Sequence, residues 1–389
     1  MKSRPTKYKK RVVWKAGFVI CIVSFLAFIV GIPLQYTNHI VTSVTQKSDS
    51  LQEKTDHILS NMTDEQKIGQ LIMIGVEGTR WDHVNMSRIT DIPFGNIILF
   101  DRNMDNPEQV KKLTGDIQKT AHDHGEPPVF IALDQEGGQV RRMRDHMPAM
   151  PSAKELGEND PEETEKWAEK TGQALINLGI QINFAPVADL GLTYDRSYGE
   201  NLSRVIVYAE SAVKGYAKVG IISTMKHFPG IGKVKTDPHI DRDIISSTWE
   251  EMDQQDAKTF RKLIKNTDSN QTWVMVSNVS YPAIDQKNPA CFSAYIMKEI
   301  LRDQYSYQGI IVTDDMDMGA ISNHYDFQDV GVKAIQAGAD IVLICQNYDH
   351  AREAYEGLLR AYHDGGVNRD EVDQKVGRII RAKIQYGKF

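Results

Sequence analysis

Residues 221–239 read IISTMKHFPGIGKVKTDPH and combine the pattern of a buried strand with titratable side chains. The apolar run ends at a Pro-Gly pair, which is typical of a parallel strand that is buried on both faces. Lys226 and His227 stand where this strand ends. Asp237 and His239 follow in the next loop. Because α/β enzymes carry their chemistry at the carboxyl ends of buried strands, the segment is a candidate part of an active site.

Seven further short apolar runs occur along the chain, and longer amphipathic segments separate most of them. The eight runs are residues 70–75, 95–100, 129–134, 182–190, 221–228, 272–279, 309–316 and 340–345. Helical patterns, several of them opened by an Asn, Asp or Ser cap, cover 107–124, 160–178, 248–265, 327–337 and 369–385. Strands that alternate with helices in this way predict a (β/α)8 barrel of the TIM type as a single catalytic domain.

An open, doubly wound sheet is the alternative for the same alternation of strands and helices. Such sheets normally carry a glycine-rich phosphate-binding loop after the first strand. The corresponding segment here, GVEGTR at 75–80, does not form that motif. The barrel is therefore favoured.

The N-terminus differs in charge from the rest of the chain. The chain has 389 residues and a formal net charge of −6. Residues 1–34 hold seven Lys or Arg and no Asp or Glu, so the remainder carries 39 basic and 52 acidic side chains. A body with a net charge of −13 is a poor candidate for binding nucleic acid.

Residues 16–34 are uncharged and mostly apolar, and they follow the basic residues directly. This length is close to the roughly 20 residues that a helix needs to span a bilayer. The run is longer than the core of a usual signal peptide and has no clear cleavage site after it, so we expect a retained signal-anchor. Cleavage, which would release a secreted protein, is the alternative.

The positive-inside rule orients this anchor with the basic residues 1–15 in the cytoplasm and everything after Gln35 outside. The polar stretch 35–55 is expected to be a stalk, and residues 56–389 form the predicted barrel domain at the outer face of the cell membrane. Thr63, which precedes acidic residues, is expected to cap a first helix. Cys291 and Cys345 lie in or beside apolar segments and are expected to be buried thiols.

Polar and charged residues follow most of the predicted strands, at the end where a barrel carries its functional groups. They are Asp101, Arg102 and Asn103; Asp134, Glu136, Arg141, Arg142 and Arg144; Asp189, Asp195 and Arg196; Lys226 and His227; Ser277 and Asn278; and Asp314 and Asp315. So many hydrogen-bonding groups suit a carbohydrate better than a flat apolar cofactor. Asp315 is expected to be a helix cap, and Arg196 fits either a structural ion pair or a ligand contact.

Four segments together resemble glycoside hydrolase family 3, and more narrowly its single-domain bacterial β-N-acetylhexosaminidases. The segments are ALDQEGGQVRR (132–142), NFAPVADL with DRSYG (183–190 and 195–199), KHFPGIG followed by TDPH (226–239), and VTDDMDMGAI (312–321). KHFPG with an Asp-x-His downstream is the most specific of them. The resemblance implies a barrel enzyme that acts on a glycan containing N-acetylglucosamine and requires no metal or organic cofactor.

The resemblance also implies roles for individual residues. Asp314 matches the nucleophile, His239 the general acid and base, and Asp237 the carboxylate that orients this histidine. The residues that match the sugar-binding positions of the −1 subsite are Asp134, Arg142, Arg196, Lys226 and His227. A histidine, with an ordinary pKa of about 6.5, can donate a proton in one step and accept it in the next.

Two positions depart from the family pattern. Ile231 stands where the family usually has the second His of KHFPGHG, and Pro238 replaces the Ser between Asp237 and His239. Neither change removes a proposed catalytic group. We therefore expect an exo-acting, retaining β-N-acetylglucosaminidase that removes terminal sugars from peptidoglycan-derived cell-wall glycans.

Three alternatives remain open for the function of the barrel. A β-glycoside phosphorylase would use phosphate in place of water in the second step. A β-glucosidase or β-xylosidase would use the same barrel on another sugar. A catalytically inactive surface protein that binds glycan is the third alternative, and Ile231 and Pro238 motivate it.

Overall fold

The computed structural model describes residues 50–192, 194–234 and 243–387. A helical segment covers residues 50–61, and the chain from Asn61 onward forms a unit of its own. No helix in these described ranges is long and apolar enough to cross a membrane. The predicted anchor at 16–34 lies outside the described residues.

Eight parallel strands close into a barrel, in which each strand pairs with the next along the chain and the last pairs with the first. The strands are β1 Ile72–Gly75, β2 Asn96–Ile98, β3 Phe130–Leu133, β4 Ile182–Asn183, β5 Ile222–Phe228, β6 Thr272–Val276, β7 Ile311–Asp315 and β8 Ile341–Ile344. Each lies within one of the eight apolar runs of the sequence. The prediction of a (β/α)8 barrel is confirmed, and the open sheet is excluded.

Helices before, between and after these strands cover the outside of the barrel. They are α1 Asp64–Gln70, α2 His83–Asp91, α3 Pro107–Asp123, α4 Ala153–Gly157, α5 Pro161–Asn177, α6 Leu202–Val219, α7 Trp249–Gln254, α8 Asp256–Asn266, α9 Gly319–Ser322, α10 Phe327–Ala337, α11 Tyr348–His363 and α12 Arg369–Tyr386. Short 3-10 turns at Asp101–Asn103 and Ala290–Phe292 and a π-helix at Tyr295–Gln304 complete the set described.

Side-chain caps explain where several of these helices begin. The Thr63 hydroxyl accepts the backbone N–H of Gln66, and the Gln66 side chain accepts the N–H of Thr63, so the predicted cap of α1 is confirmed. Asn106 and Asp160 cap α3 and α5 by accepting the backbone N–H of Gln109 and of Glu162, and each is followed by a proline in the first turn. These helices begin where the capping residues in the local sequence predict.

The predicted helix over 248–265 is wrong in one respect, because it is broken into α7 and α8 at Gln255. Immediately after the break, Asp256 is almost fully buried and its carboxylate pairs with Lys233 Nζ at 2.8 Å. Gln255 Oε1 accepts a hydrogen bond from the same ammonium at 3.1 Å. The break therefore coincides with a tertiary contact to the loop after β5.

The amino-terminal end of the barrel is tied to the last helix, α12, by basic side chains. Asp340, which is fully buried before β8, pairs with Arg378 at 2.7 Å and with Arg302 at 2.5 Å. Burial opposes its ionisation, but these two guanidinium groups lower the pKa of Asp340 to about 2. Lys383 donates to the carbonyl of Gly95 at 2.7 Å. This end of the barrel is held by ion pairs and backbone contacts.

The carboxyl ends of β5 and β7 are the irregular part of the sheet. The register between β5 and β6 shifts between Met225 and Phe228, and the Lys226–His227 and Phe228–Pro229 peptide bonds are cis. A similar shift lies between Val312 and Asp315 in β7. Cys291 and Cys345 are buried and unpaired, as the sequence predicts.

Candidate active site

A cavity of about 660 Å³ lies at the carboxyl ends of the strands. It is lined by six of the eight predicted site residues: Asp134, Arg142, Arg196, Lys226, His227 and Asp314. These side chains come from β5, β7 and the loops after β3 and β4, so the barrel brings together residues that are far apart in sequence. The volume is within the range of roughly 300–1,000 Å³ that is usual for small-molecule sites.

Lys226 is the buried cation of this cavity. Its Nζ lies 2.6 Å from Asp134 Oδ1 and 2.7 Å from Glu136 Oε1, and the residue is only 2% exposed. Burial alone would lower the pKa of the Lys226 ammonium, but the Asp134 and Glu136 carboxylates hold it above its ordinary value. The lysine is therefore a charged hydrogen-bond donor in the lining of this cavity.

Glu136 joins Lys226 to Arg196. Arg196 binds this carboxylate with two parallel hydrogen bonds, Nε to Oε2 at 2.8 Å and Nη2 to Oε1 at 2.7 Å. Burial would raise the pKa of Glu136, but Lys226 and Arg196 hold it well below its ordinary value. Arg196 is thus a structural ion-pair partner and a cavity-lining group at once, so the two alternatives for this residue do not exclude each other.

The two glycines after Glu136 allow its loop to turn inward. Gly137 and Gly138 have φ values of 102° and 55°, in the left-handed region that favours glycine. A Cβ on Gly137 would lie 2.2 Å from the carbonyl oxygen of Pro151, and one on Gly138 would lie 2.7 Å from Cβ of Ser152. The EGG triplet is therefore a packing requirement that places the Glu136 carboxylate in the cavity.

His227 is oriented by Asp189, a carboxylate with no exposed surface. His227 Nδ1 lies 2.7 Å from Asp189 Oδ2, and the same carboxylate accepts the backbone N–H of His227 at 3.1 Å. The carboxylate accepts this hydrogen bond, so Nδ1 is the donor, and in a neutral imidazole it carries the only ring proton. The Nε2 atom is then the nitrogen that can accept a hydrogen bond from a ligand hydroxyl.

Ile231 retains a main-chain role that does not depend on its side chain. Its N–H donates to Asp189 Oδ1 at 2.9 Å, in the same network that orients His227. Its side chain is 6% exposed and lines the cavity. The departure from the usual family histidine therefore preserves the loop contact while it makes this part of the cavity wall apolar.

Asp314 and Asp315 end β7 and have different surroundings. Asp314 Oδ1 accepts the N–H of Asp315 at 2.9 Å. Asp315 Oδ1 accepts the N–H groups of Asp317 and Cys345, each at 3.0 Å. The prediction that Asp315 caps a helix is wrong, because helix α9 begins after Met318 without a side-chain cap and Asp315 instead links β7 to the end of β8. Burial and the Asp317 carboxylate raise the pKa of Asp315 to about 7.

Arg142 makes looser contacts than Arg196. Its Nη2 is 3.7 Å from Asp134 Oδ2 and its Nη1 is 3.4 Å from Asp101 Oδ2. Its guanidinium carbon lies 5.3 Å from the ring centre of Phe100. These contacts leave the cation free to tighten on a ligand, since none of them is a short bidentate pair.

The other two predicted catalytic residues, Asp237 and His239, lie outside the described residues. The described chain stops at Val234, which lines the cavity, and resumes at Asp243. Glu136 and Asp189 are members of the site that we did not select from the sequence, although both stand at predicted strand ends. In the described part of the chain, no group of three or more His, Cys, Asp or Glu side chains is arranged to hold a metal ion.

Comparisons with known proteins identify the family of the chain. Residues 63–382 match the N-terminal domain of glycosyl hydrolase family 3. A β-hexosaminidase of Nitrosomonas eutropha is 33% identical over 299 residues, which are 74% of this chain and 84% of the relative.

Two solved structures are similar over most of the chain. A family 3 β-N-acetylglucosaminidase from Paenibacillus has a TM-score of 0.80 and 34% identity, covering 84% of this chain and 63% of that longer chain. A β-N-acetylhexosaminidase from Beutenbergia cavernae has a TM-score of 0.77 and 26% identity, covering 83% and 99%. The chain therefore belongs to glycoside hydrolase family 3 and is a glycoside hydrolase of the β-hexosaminidase type.

Proposed function

We propose that this protein is an exo-acting, retaining β-N-acetylglucosaminidase. The observation that carries the proposal is a single cavity in which Asp314 shares the lining with Asp134, Arg196, Lys226 and His227. Such a cavity offers one carboxylate for covalent chemistry and several fixed partners for hydroxyl groups. The names of the relatives, β-hexosaminidase and β-N-acetylglucosaminidase, support an N-acetylated amino sugar as the group that is released.

In the first step, the Asp314 carboxylate attacks the anomeric carbon while the glycosidic C–O bond breaks. The leaving oxygen takes a proton from the His239 imidazolium, and the product is a glycosyl ester of Asp314. The N–H of Asp315 holds one oxygen of this carboxylate. Retaining enzymes need one group as the nucleophile and another as the proton donor. The role of His239 as the donor follows from the family resemblance.

In the second step, a water molecule gives a proton to the neutral His239 and attacks the anomeric carbon of the ester. Asp314 leaves as a carboxylate, and the sugar is released with its original configuration. Asp237 orients His239 and stabilises its imidazolium form, which is the usual role of a carboxylate beside a catalytic histidine. The charge on His239 therefore alternates between the two steps.

Binding of a terminal sugar uses the charged side of the cavity. Lys226 donates, Asp134 accepts, and His227 Nε2 accepts in the tautomer that Asp189 selects. The limited volume of about 660 Å³ suits one sugar and part of its leaving group, which favours exo cleavage. As natural substrates we propose peptidoglycan-derived glycans outside the cell, because the basic residues 1–15 and the apolar residues 16–34 predict an external, membrane-anchored domain.

A panel of nitrophenyl glycosides tests this function in the full-length chain. We expect turnover of the N-acetylglucosaminide, little turnover of the glucoside and xyloside, and the β-anomer of N-acetylglucosamine as the first product. Asp314→Asn should lower kcat by about 1,000-fold or more, because the amide is not a nucleophile. Asp326→Asn is the matched control, since Asn also caps helix α10 well.

Three results would contradict parts of the proposal. Full activity of Asp314→Asn would exclude Asp314 as the nucleophile. Sugar 1-phosphate formed in the presence of phosphate would identify a phosphorylase. Glycan binding that raises the melting temperature, with no turnover of any glycoside, would identify a binding protein.

A further inference from the structure

The mouth of the cavity has an apolar side that the proposed chemistry does not use. Leu192, Tyr194, Ile231 and Val234 line it, from the loops after β4 and β5. Leu192 and Ile231 are 9% and 6% exposed, and they form the wall. Tyr194 is 70% exposed, so its ring lies open to solvent at the entrance. An exposed aromatic ring next to an apolar wall is a feature that a ligand could cover.

The backbone at Tyr194 is held in an unfavourable conformation. Tyr194 and Asp195 have φ values of 60° and 58°, in the left-handed region that costs a residue other than glycine about 1–2 kcal/mol. The Asp195 carbonyl accepts the N–H of Lys154 at 3.2 Å, and the Asp195 carboxylate binds Lys154 Nζ at 3.0 Å. Strained residues that the surrounding structure fixes in this way concentrate at ligand-binding positions.

The same loop segment is anchored in the sugar-binding part of the cavity. Arg196, two residues after Tyr194, makes the paired hydrogen bonds to Glu136 that were described above. Tyr194 is therefore joined through one intervening residue to a side chain of the charged cavity. The backbone of Tyr194 is thus connected directly to a segment that the charged part of the cavity holds in place.

We propose that Tyr194 is the stacking platform of a +1 subsite, and that Ile231 and Leu192 form the wall of that subsite. The ligand is the leaving group of the substrate, a pyranose ring whose C–H face packs on the tyrosine ring. A sugar face of this kind is apolar, whereas its edge carries the hydroxyl groups, so it complements an aromatic ring that is open on one side. The inference rests on the proposed function in naming the stacked ring as the leaving group, whereas the stacking of a second pyranose on Tyr194 can be measured by binding alone.

Two substrates that share the same terminal sugar test the platform. One is the β-linked disaccharide of N-acetylglucosamine, whose leaving group is a pyranose. The other is β-N-acetylglucosaminyl fluoride, whose leaving group has no ring. In the full-length chain, Tyr194→Ala should lower the ratio of kcat/KM for the disaccharide to kcat/KM for the fluoride by about tenfold. Tyr194→Phe, which keeps the ring, should leave this ratio close to that of the wild type.

Tyr194→Gly separates the ring from the strained backbone. Glycine adopts the left-handed region without cost, whereas alanine does not. If stacking is the role of Tyr194, the Gly and Ala variants should lower the ratio equally. Three outcomes would overturn the platform. They are a fall of the ratio in Tyr194→Gly but not in Tyr194→Ala, an equal fall of kcat/KM for both substrates in these variants, and no change of the ratio.

A binding measurement keeps this test separate from that of the proposed function. If the wild type cleaves neither substrate, the proposed function has failed. Calorimetry with the disaccharide and with free N-acetylglucosamine then decides the inference. Weaker binding of the disaccharide alone in Tyr194→Ala would support the platform, and equal affinities for the variant and the wild type would overturn it.

Discussion

The carboxyl group of Asp315 changes its charge near neutral pH, and this has a consequence for stability. Its pKa of about 7 lies above the value of an exposed aspartate, because burial and Asp317 disfavour its ionised form. Between about pH 4 and pH 7, the folded chain therefore binds the Asp315 proton more tightly than the unfolded chain does. The contribution of this group to the free energy of unfolding is fully present below that window and is lost as the pH rises through it.

The variant Asp315→Asn tests this assignment, because its amide does not titrate. We expect the difference in free energy of unfolding between about pH 5 and about pH 8 to shrink by on the order of 2 kcal/mol. Urea denaturation at both pH values measures it, with Asp326→Asn as the control that should keep the wild-type difference. An unchanged difference in Asp315→Asn would show that another group carries the pH dependence.

Some residues of the candidate site could be predicted from the sequence, and others could not. Asp134, Lys226 and Asp314 stand at strand ends inside recognisable motifs, so their arrival in one cavity could be predicted. Glu136 and Asp189 also stand at strand ends, but the sequence does not show that they turn toward Lys226 and His227. Their inward direction depends on glycine turns and on partners from other strands, which no local pattern encodes.

The loop after β5 is shaped by close backbone contacts at its glycines. A Cβ on Gly232 would lie only 1.6 Å from the carbonyl oxygen of Leu190, so the loops after β4 and β5 touch at this point. Gly230, with φ of 126°, packs against Asp256 in the same region. The KHFPGIG segment is thus fixed by contact with its neighbours, and the position of Ile231 depends on that contact.

The variant Gly232→Ala should therefore destabilise the protein by about 3 kcal/mol or more, because a backbone carbonyl cannot easily move aside. Gly115→Ala is the matched control, since Gly115 is exposed in helix α3 and an added Cβ there meets nothing within 4 Å. This control should be stabilising by about 1 kcal/mol, as alanine is the better helix former. Thermal denaturation measures both, and equal effects would refute the proposed clash.

Helices and strands differ in how well the sequence predicted them. The starts of α1, α3 and α5 follow from caps and prolines that act within a few residues. The break at Gln255 coincides with the contact of Asp256 with Lys233, and the π-helix at Tyr295–Gln304 has no local signal that we can identify. Boundaries that tertiary contacts set are the ones that sequence patterns miss.

The two ends of the barrel have different roles: one carries the candidate active site, and the other carries ion pairs that stabilise the fold. The carboxyl ends of the strands surround the cavity, whereas Asp340, Arg302 and Arg378 lie at the amino-terminal end. The fold itself was predictable because eight apolar runs each require burial on both faces, and a closed parallel sheet covered by helices satisfies all of them. The pairing of β8 with β1 completes this arrangement.

The variant Arg378→Ala tests the separation of the two ends. It removes one of the two cations that neutralise the buried Asp340, so we expect the free energy of unfolding to fall by about 2 kcal/mol. The kcat measured well below the melting temperature should stay at the wild-type value. A clear loss of kcat in the folded variant would mean that the amino-terminal end influences the site.

The shared contacts of Lys226 restrict how this site can change over evolutionary time. Lys226, Asp134, Glu136 and Arg196 form a set of two cations and two anions, of which Lys226 and Glu136 are buried and Asp134 and Arg196 are half-buried. Loss of a single member leaves the buried Lys226 or Glu136 with an incompletely balanced charge, which is destabilising. We therefore expect these four residues to be replaced in evolution only as oppositely charged pairs. The side chain at position 231 carries no charge in this network, so it can change by single substitutions.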